Sequence, residues 1–184
     1  RSILRQGATF RVCRCQSRQP EYGRNTRMAS HFLNESIQIT NLWMAPRHLM
    51  QRESYAWHNT RDLWLIRPWT TTLTVMTEDD QRYTVANGGC WLGLPDRRYQ
   101  LSFPPGEDRT CLCISIRAVM GNGIELFHLY ELPLFQEADQ TASIVTVAEA
   151  WYALHEVAKQ RPILARVRSN ELAYRLLGLL LTWG

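Results

Sequence analysis

The chain has 184 residues, 45% of them hydrophobic, which is enough for one domain with a buried core. Its five cysteines are odd in number and irregularly spaced, which argues against a disulfide-stapled secreted module. The longest apolar stretch, Leu172 to Trp183, is shorter than the roughly 18 residues that a membrane span needs. We therefore expect a cytoplasmic protein without a membrane segment.

The net charge of +4 is unevenly distributed. Residues 1–27 contain seven arginines and a single acid, Glu21, whereas the rest of the chain carries 14 basic and 16 acidic residues. The basic segment has no helix or strand periodicity and is predicted to be a disordered extension outside the domain, because composition changes at Met28. A nucleic-acid-binding arm and an organellar presequence are the alternatives. The remainder, being slightly acidic, offers no broad surface for phosphates.

Alternating apolar and β-branched residues between turn signals predict seven or eight short strands. The predicted strands are residues 36–43, 63–67, 71–77, 82–85, 90–94, 99–103 and 110–117. Residues 44–57, which include Pro46, are predicted to be a connection with a helical turn. Short strands in close succession are typical of a small antiparallel barrel or jelly roll.

The stretch 82–101 is central to this prediction. Asn87-Gly88-Gly89 predicts a tight hairpin turn between strands 82–85 and 90–94, since Asn-Gly favours the positive φ angles of a type I′ turn. Pro95-Asp96 then predicts a corner, because proline has no N–H for the strand ladder.

Helices are predicted after a mixed connection at residues 120–143. Residues 144–158 carry apolar side chains at helical spacing, and Pro162 suits the first turn of a second helix that runs to about Trp183. The second helix has one apolar stripe, formed by Leu172, Leu176, Leu179, Leu180 and Trp183. A stripe of this kind needs a cover, which its own barrel, a second copy of the chain or a further domain can supply.

This pattern resembles the effector-binding half of the AraC-type transcriptional regulators. The likeness rests on residues 62–68 (DLWLIRP), 82–103 (RYTVANGGCWLGLPDRRYQLSF) and 110–117 (TCLCISIR). The chain departs from the family pattern at Asn87-Gly88-Gly89, where Pro-Gly-Asp is usual, and at Tyr99, where a histidine is common. The resemblance implies a cupin-like antiparallel β-barrel (jelly roll) at residues 28–119, followed by a connection and dimerisation helices at 120–184.

The resemblance also implies a function without catalysis and without a cofactor. A small-molecule effector would bind in the barrel, and the stripe Leu172, Leu176, Leu179, Leu180 and Trp183 would form a homodimer. DNA would be bound only through a C-terminal helix-turn-helix module, which we expect beyond Gly184.

The resemblance places candidate effector-binding residues on three strands, at Arg67, at Tyr99, and at Cys111 and Cys113. Trp64 and Trp91 are further candidates, because tryptophan offers a flat face on which sugars or aromatic effectors stack. Each has a structural alternative: the tryptophans and cysteines are also typical core residues, and Arg67 also suits a strand end at the rim. Because successive side chains of a strand point to opposite faces, Trp91 and Gly93 share one face, and Cys90 and Leu92 share the other. This alternation leaves open which of the two faces points inward.

The five histidines, at positions 31, 48, 58, 128 and 155, do not form the closely spaced pair of a cupin metal site. No metal site is therefore expected. A stand-alone cupin-like enzyme, such as an isomerase or dioxygenase, is the alternative function, and a stand-alone binding or scaffolding module is a third.

Overall fold

A computed structural model of the chain describes residues 36–59, 61–86, 88–121 and 123–184. The described strands are β1 (Ile37–Leu49), β2 (Ser54–His58), β3 (Leu63–Pro68), β4 (Leu73–Thr77), β5 (Arg82–Val85), β6 (Cys90–Gly93), β7 (Arg98–Ser102), β8 (Thr110–Met120) and the two-residue β9 (Phe135–Gln136). Two helices follow, α1 (Ala138–Gln160) and α2 (Pro162–Leu181). The expected extension at residues 1–27 lies outside the described residues.

The strands form two antiparallel sheets, which we call sheet A and sheet B. Sheet A has the order β1-β8-β3-β6-β9, and sheet B has the order β2-β7-β4-β5. Because β1 pairs with β8, β2 with β7, β3 with β6 and β4 with β5, the pairings nest around the β4–β5 hairpin. The prediction of a mainly antiparallel β fold with two C-terminal helices is confirmed. In the described part of the chain, however, the strands form two separate sheets and do not close into one hydrogen-bonded barrel.

The connection predicted at residues 44–57 is wrong. β1 continues through Leu49, with shifts in its pairing to β8 between Ala45 and His48, and a further strand, β2, follows. Pro46 lies within this irregular stretch of β1, which is the edge strand of sheet A. An edge strand tolerates a proline at a bulge, because the missing N–H leaves no ladder bond unmade there.

The hairpin predicted at Asn87-Gly88-Gly89 is also wrong. Val85 ends a strand of sheet B and Cys90 begins a strand of sheet A, so the turn joins two sheets. Asn87 lies outside the described residues, and Gly88 has a φ of +92°. The Pro95-Asp96 corner makes a second crossing, between β6 and β7, and Asp96 there has a φ of +56°.

Two hydrophobic clusters divide the molecule into layers. The first cluster contains residues of both sheets, among them Ile66 and Trp91 from sheet A and Val75 and Leu101 from sheet B, so the sheets pack face to face. The second cluster joins the other face of sheet A to the helices, with Leu65 among its strand residues. Sheet A is therefore apolar on both faces, and the order of layers is sheet B, sheet A and helices.

Both predicted helices are present, and both end within two residues of the predicted positions. Pro162 occupies the first turn of α2, as expected, whereas α1 begins six residues earlier than the predicted 144. None of the helices in the described ranges is long and apolar enough to cross a membrane.

Candidate ligand-binding site

The two hydrophobic clusters show which strand faces point into the space between the sheets. Trp91, Tyr99, Cys111 and Cys113 all belong to the cluster between the sheets. Cys90 belongs to the cluster beneath the helices, as do Leu112, Ile114 and Ile116 of β8. Four of the six candidate ligand-binding residues therefore line one interior.

The centre of this interior is filled by aromatic side chains. Trp91 is fully buried, and its ring centroid lies 4.8 Å from that of Tyr99 in an edge-to-face arrangement. Burial raises the pKa of Tyr99, whose hydroxyl oxygen accepts a hydrogen bond from the N–H of Leu94 at 3.1 Å. The indole N–H of Trp91 is buried and has no hydrogen-bond partner among the described residues.

Gly93 makes room for the indole of Trp91. A Cβ at position 93 would lie 2.5 Å from Cη2 of Trp91 and 2.6 Å from Nδ2 of Asn59. No side chain larger than glycine fits between these groups without displacing one of them.

The cysteines of the interior behave as small apolar residues. Burial raises the pKa of Cys111 to about 12 and raises that of Cys113 further, so both stay protonated thiols at neutral pH. Cys111 Sγ donates to the carbonyl of Arg109 at 3.5 Å.

Trp64 lies at one end of the sandwich with two other tryptophans. The ring centroid of Trp64 is 5.9 Å from that of Trp43 on β1 and 4.8 Å from that of Trp57 on β2. We call Trp43, Trp57 and Trp64 the tryptophan cluster. Trp43 is 38% exposed and the other two rings are half-buried, so the cluster reaches solvent, in contrast to Trp91.

Polar side chains surround the tryptophan cluster. Ser115 pairs in register with both Trp43 and Trp64, so its hydroxyl lies between them on the same face of sheet A. That hydroxyl donates to Asp62 Oδ2 at 2.9 Å, and Asn41 Nδ2 donates to the same oxygen at 2.8 Å. A carboxylate is therefore held beside two tryptophans.

Asn59 forms a hydrogen bond with Trp57 of the cluster. It is buried, its Nδ2 donates to the carbonyls of Gly93 and Leu94 at 2.6 and 3.1 Å, and its Oδ1 accepts a hydrogen bond from Trp57 Nε1. Trp57 is thus oriented by a side chain that is itself anchored to β6.

The structure separates Arg67 from the other candidates. Arg67 lies on the helix side of sheet A, where its Nε donates to the carbonyl of Gly88 at 3.0 Å and lies 3.3 Å from Oγ1 of Thr141 in α1. Its guanidinium stacks 4.4 Å from the ring centroid of Trp69. Burial lowers the pKa of Arg67, and its Nη1 is buried without a hydrogen-bond partner in the described ranges. Arg67 joins the turn before β6 to the first helix and does not enter the space between the sheets.

The leucine stripe of α2 is covered by its own sheet. Leu176 and Leu180 are fully buried, and Leu172, Leu179 and Trp183 are half-buried against the same cluster. A second copy therefore cannot contact Leu176 or Leu180 while α2 stays in place. The apolar residues that α2 exposes most are Ile163 (81%) and Val167 (60%), one turn apart, with Leu164 beside them.

Sequence reasoning missed four members of the site: Trp43, Trp57, Asn59 and Asp62. Trp57 lies on β2 and Asn59 comes directly after it, and this strand was not predicted. A search for alternating aromatic residues over 55–57 could have found this strand, because Tyr55 and Trp57 point to one face.

In the described part of the chain there is no group of three or more His, Cys, Asp or Glu side chains placed to hold a metal ion. The expectations of no cofactor and no catalysis, and the alternative of a cupin-like enzyme, stay predictions.

Comparison with known proteins gives only partial similarities. No protein-family model matches the chain, and no curated protein matches it. Among solved structures, a lysine-to-alanine variant of apo ToxT from Vibrio cholerae is 13% identical over 64% of this chain and 48% of that chain, with a TM-score of 0.38. A second ToxT structure is 11% identical over 64% of this chain and 38% of that chain, with a TM-score of 0.29. Similarity at this level does not establish a common fold, and the chain spans about half or less of the length of ToxT.

Proposed function

We propose that this chain is the effector-sensing and self-association part of an AraC-type transcriptional regulator, folded as a cupin-like jelly roll. The observation that carries the proposal is the nested strand pairing, with a pair of helices packed on the outer face of sheet A. Eight strands that nest in this way across two facing sheets support this proposal, because a jelly roll has eight strands in two sheets.

The effector site in this proposal is the tryptophan cluster. Flat aromatic faces, a carboxylate and amide groups that converge at the solvent-accessible end of a sandwich suit a small organic ligand. The centre of the sandwich is less suitable, because Trp91 and Tyr99 already fill it.

Ligand binding can influence the helices because the tryptophan cluster and the helices both contact sheet A. β8 carries Ser115 beneath the tryptophan cluster and, on its other face, apolar residues such as Ile114 and Ile116 that pack against the helices. A ligand that binds two arrangements of this sheet unequally shifts their populations, and the helices follow. DNA would be bound by a separate module joined to α2.

The test of the regulator assignment is the coding sequence beyond Gly184. The proposal predicts two consecutive helix-turn-helix patterns there. Continuation into a catalytic domain, or a stop codon directly after Gly184, would contradict the assignment.

Self-association is proposed to use Ile163, Leu164 and Val167, which we call the helix patch. An apolar patch on an exposed helix is suited to an isologous contact with a second copy. We expect the chain to sediment as a dimer and the double variant Ile163→Glu/Val167→Glu as a monomer. The variant Gln100→Glu, at an exposed position on β7, is the matched control and should remain dimeric. A double variant that sediments like the parent chain would refute this contact.

Glutamate at Leu176 and Leu180 would not test the same question. Both side chains lie in the core, so a charge there would unfold the helix layer whether or not the chain dimerises.

A further inference from the structure

We infer that the tryptophan cluster binds an organic cation, specifically an alkylammonium group. The inference rests on the proposed function in taking this cluster as the effector site, and it adds the chemical class of the effector. Three features carry it: the arrangement of the rings, the position of Asp62, and the absence of an ion-pair partner for that carboxylate within the described residues.

The ring of Trp64 contacts the rings of both other tryptophans. Trp57 and Trp64 meet edge to face, with 77° between their planes, and Trp43 is tilted by 52° to Trp64. Trp43 is 38% exposed and the other two rings are half-buried, so part of this aromatic surface is open to an ammonium group from solvent. Tryptophan has the strongest cation–π attraction of the aromatic side chains.

Asp62 supplies the negative charge. Its Oδ2 accepts hydrogen bonds from Ser115 and Asn41, which are neutral donors and contribute no positive charge. No Lys, Arg or His side chain of the described ranges lies within ion-pair distance of it.

The charge of Arg117 interacts with that of Asp62, but Arg117 forms its ion pair with Glu125. Its Nε lies 3.0 and 3.2 Å from the two carboxylate oxygens of Glu125, and its Nη2 pairs with the same group. Arg117 and Glu125 therefore compensate one another, and Asp62 remains available to a ligand.

A neutral sugar is the competing ligand class, because sugars also stack on tryptophan and bind to carboxylate and amide groups. The two classes differ in one respect: a sugar hydroxyl donates to Asp62 without needing its charge, whereas an ammonium group needs that charge. Neutralising Asp62 therefore separates them.

The test is isothermal titration of the full 184-residue chain with choline and, in parallel, with 3,3-dimethyl-1-butanol, which has the same shape without the charge. We expect choline to bind about tenfold or more tightly than the neutral alcohol. Equal affinity for the two compounds, or no binding of choline, would overturn the inference. Neither result bears on the helix-turn-helix patterns beyond Gly184, so the regulator assignment is tested separately.

Variants confirm the place of binding. Asp62→Asn keeps the shape and the acceptor oxygen, and we expect it to weaken choline binding about tenfold. Asp80→Asn removes one carboxylate from the β4–β5 turn and should leave the affinity unchanged, as asparagine tolerates the φ of +59° found there. Trp43→Leu, at the most exposed ring, should weaken choline binding about threefold to tenfold, with a parental far-UV spectrum. Choline affinity that is unaffected by Asp62→Asn in a folded variant would also overturn the inference.

Discussion

Replacing Gly93 by alanine tests whether Trp91 fills the space between the sheets. The new Cβ would lie 2.5 Å from Cη2 of Trp91 and 2.6 Å from Nδ2 of Asn59, so the indole or the amide must move. Overpacking of this kind costs about 1–3 kcal/mol, and a weakened hydrogen bond from Asn59 adds about 1 kcal/mol. We expect the free energy of unfolding, measured in urea, to fall by about 2–4 kcal/mol.

The same substitution elsewhere in the chain provides the control. Gly178 lies on the exposed side of α2, and a Cβ there meets nothing within 4 Å. Gly178→Ala should raise the free energy of unfolding by about 0.5–1 kcal/mol, since alanine favours the helix.

A second variant identifies the clashing atoms. Trp91→Phe removes Cη2 and Cζ2, so Gly93→Ala should cost about 1 kcal/mol less in that background than in the parent chain. A Gly93→Ala chain as stable as the parent, with an unchanged near-UV spectrum, would refute the placement of Trp91.

Two further predictions concern groups buried at sheet A. Arg67→Lys should lower the free energy of unfolding by about 1–2 kcal/mol. Lysine keeps the charge but cannot donate to the carbonyl of Gly88 while stacking on Trp69. A variant as stable as the parent would contradict the role of Arg67 as a link to α1. Burial raises the pKa of Cys90 and Cys111 to about 12, so the unfolded chain releases these protons near pH 9 while the folded chain keeps them. The free energy of unfolding is then highest below pH 9 and falls as pH rises towards 12. In Cys90→Ala the free energy of unfolding should fall less steeply, by about 1 kcal/mol per pH unit. Identical slopes for parent and variant would show that the thiol of Cys90 is not buried.

The sequence was sufficient to predict antiparallel strands followed by two helices, and the positions of most strands. β3 to β8 lie close to the predicted segments, because alternation and turn residues are local signals. The same local signals do not determine which strands pair. Asn-Gly at 87–88 reads as a hairpin, but the chain passes there from sheet B to sheet A.

The alternation of residues along each strand could not show which strand face points into the space between the sheets. Sheet A is covered on one side by sheet B and on the other by the helices, so Trp91 and Leu92 are both fully buried although they point in opposite directions. Strands that are buried on both faces lose the alternation that would orient them.

The candidate site was only partly predictable. Trp64, Trp91, Tyr99 and the cysteines lie on strands that the sequence predicted, and all except Trp64 line the filled centre. The members near solvent depend on β2 and on the chain after it, where Asn59 and Asp62 have no periodic pattern to mark them. Their importance comes from hydrogen bonds across the sheets, which become visible only when the strands are paired.

The most direct test of the ligand site is the set of indole N–H signals in nuclear magnetic resonance spectra recorded during a choline titration. The chain has seven tryptophans, whose signals can be assigned by single Trp→Phe variants. We expect the signals of Trp43, Trp57 and Trp64 to shift together with a common dissociation constant, while those of Trp151 and Trp183 in the helix layer stay in place. Shifts confined to Trp151 and Trp183, or a spectrum that choline leaves unchanged, would contradict this expectation.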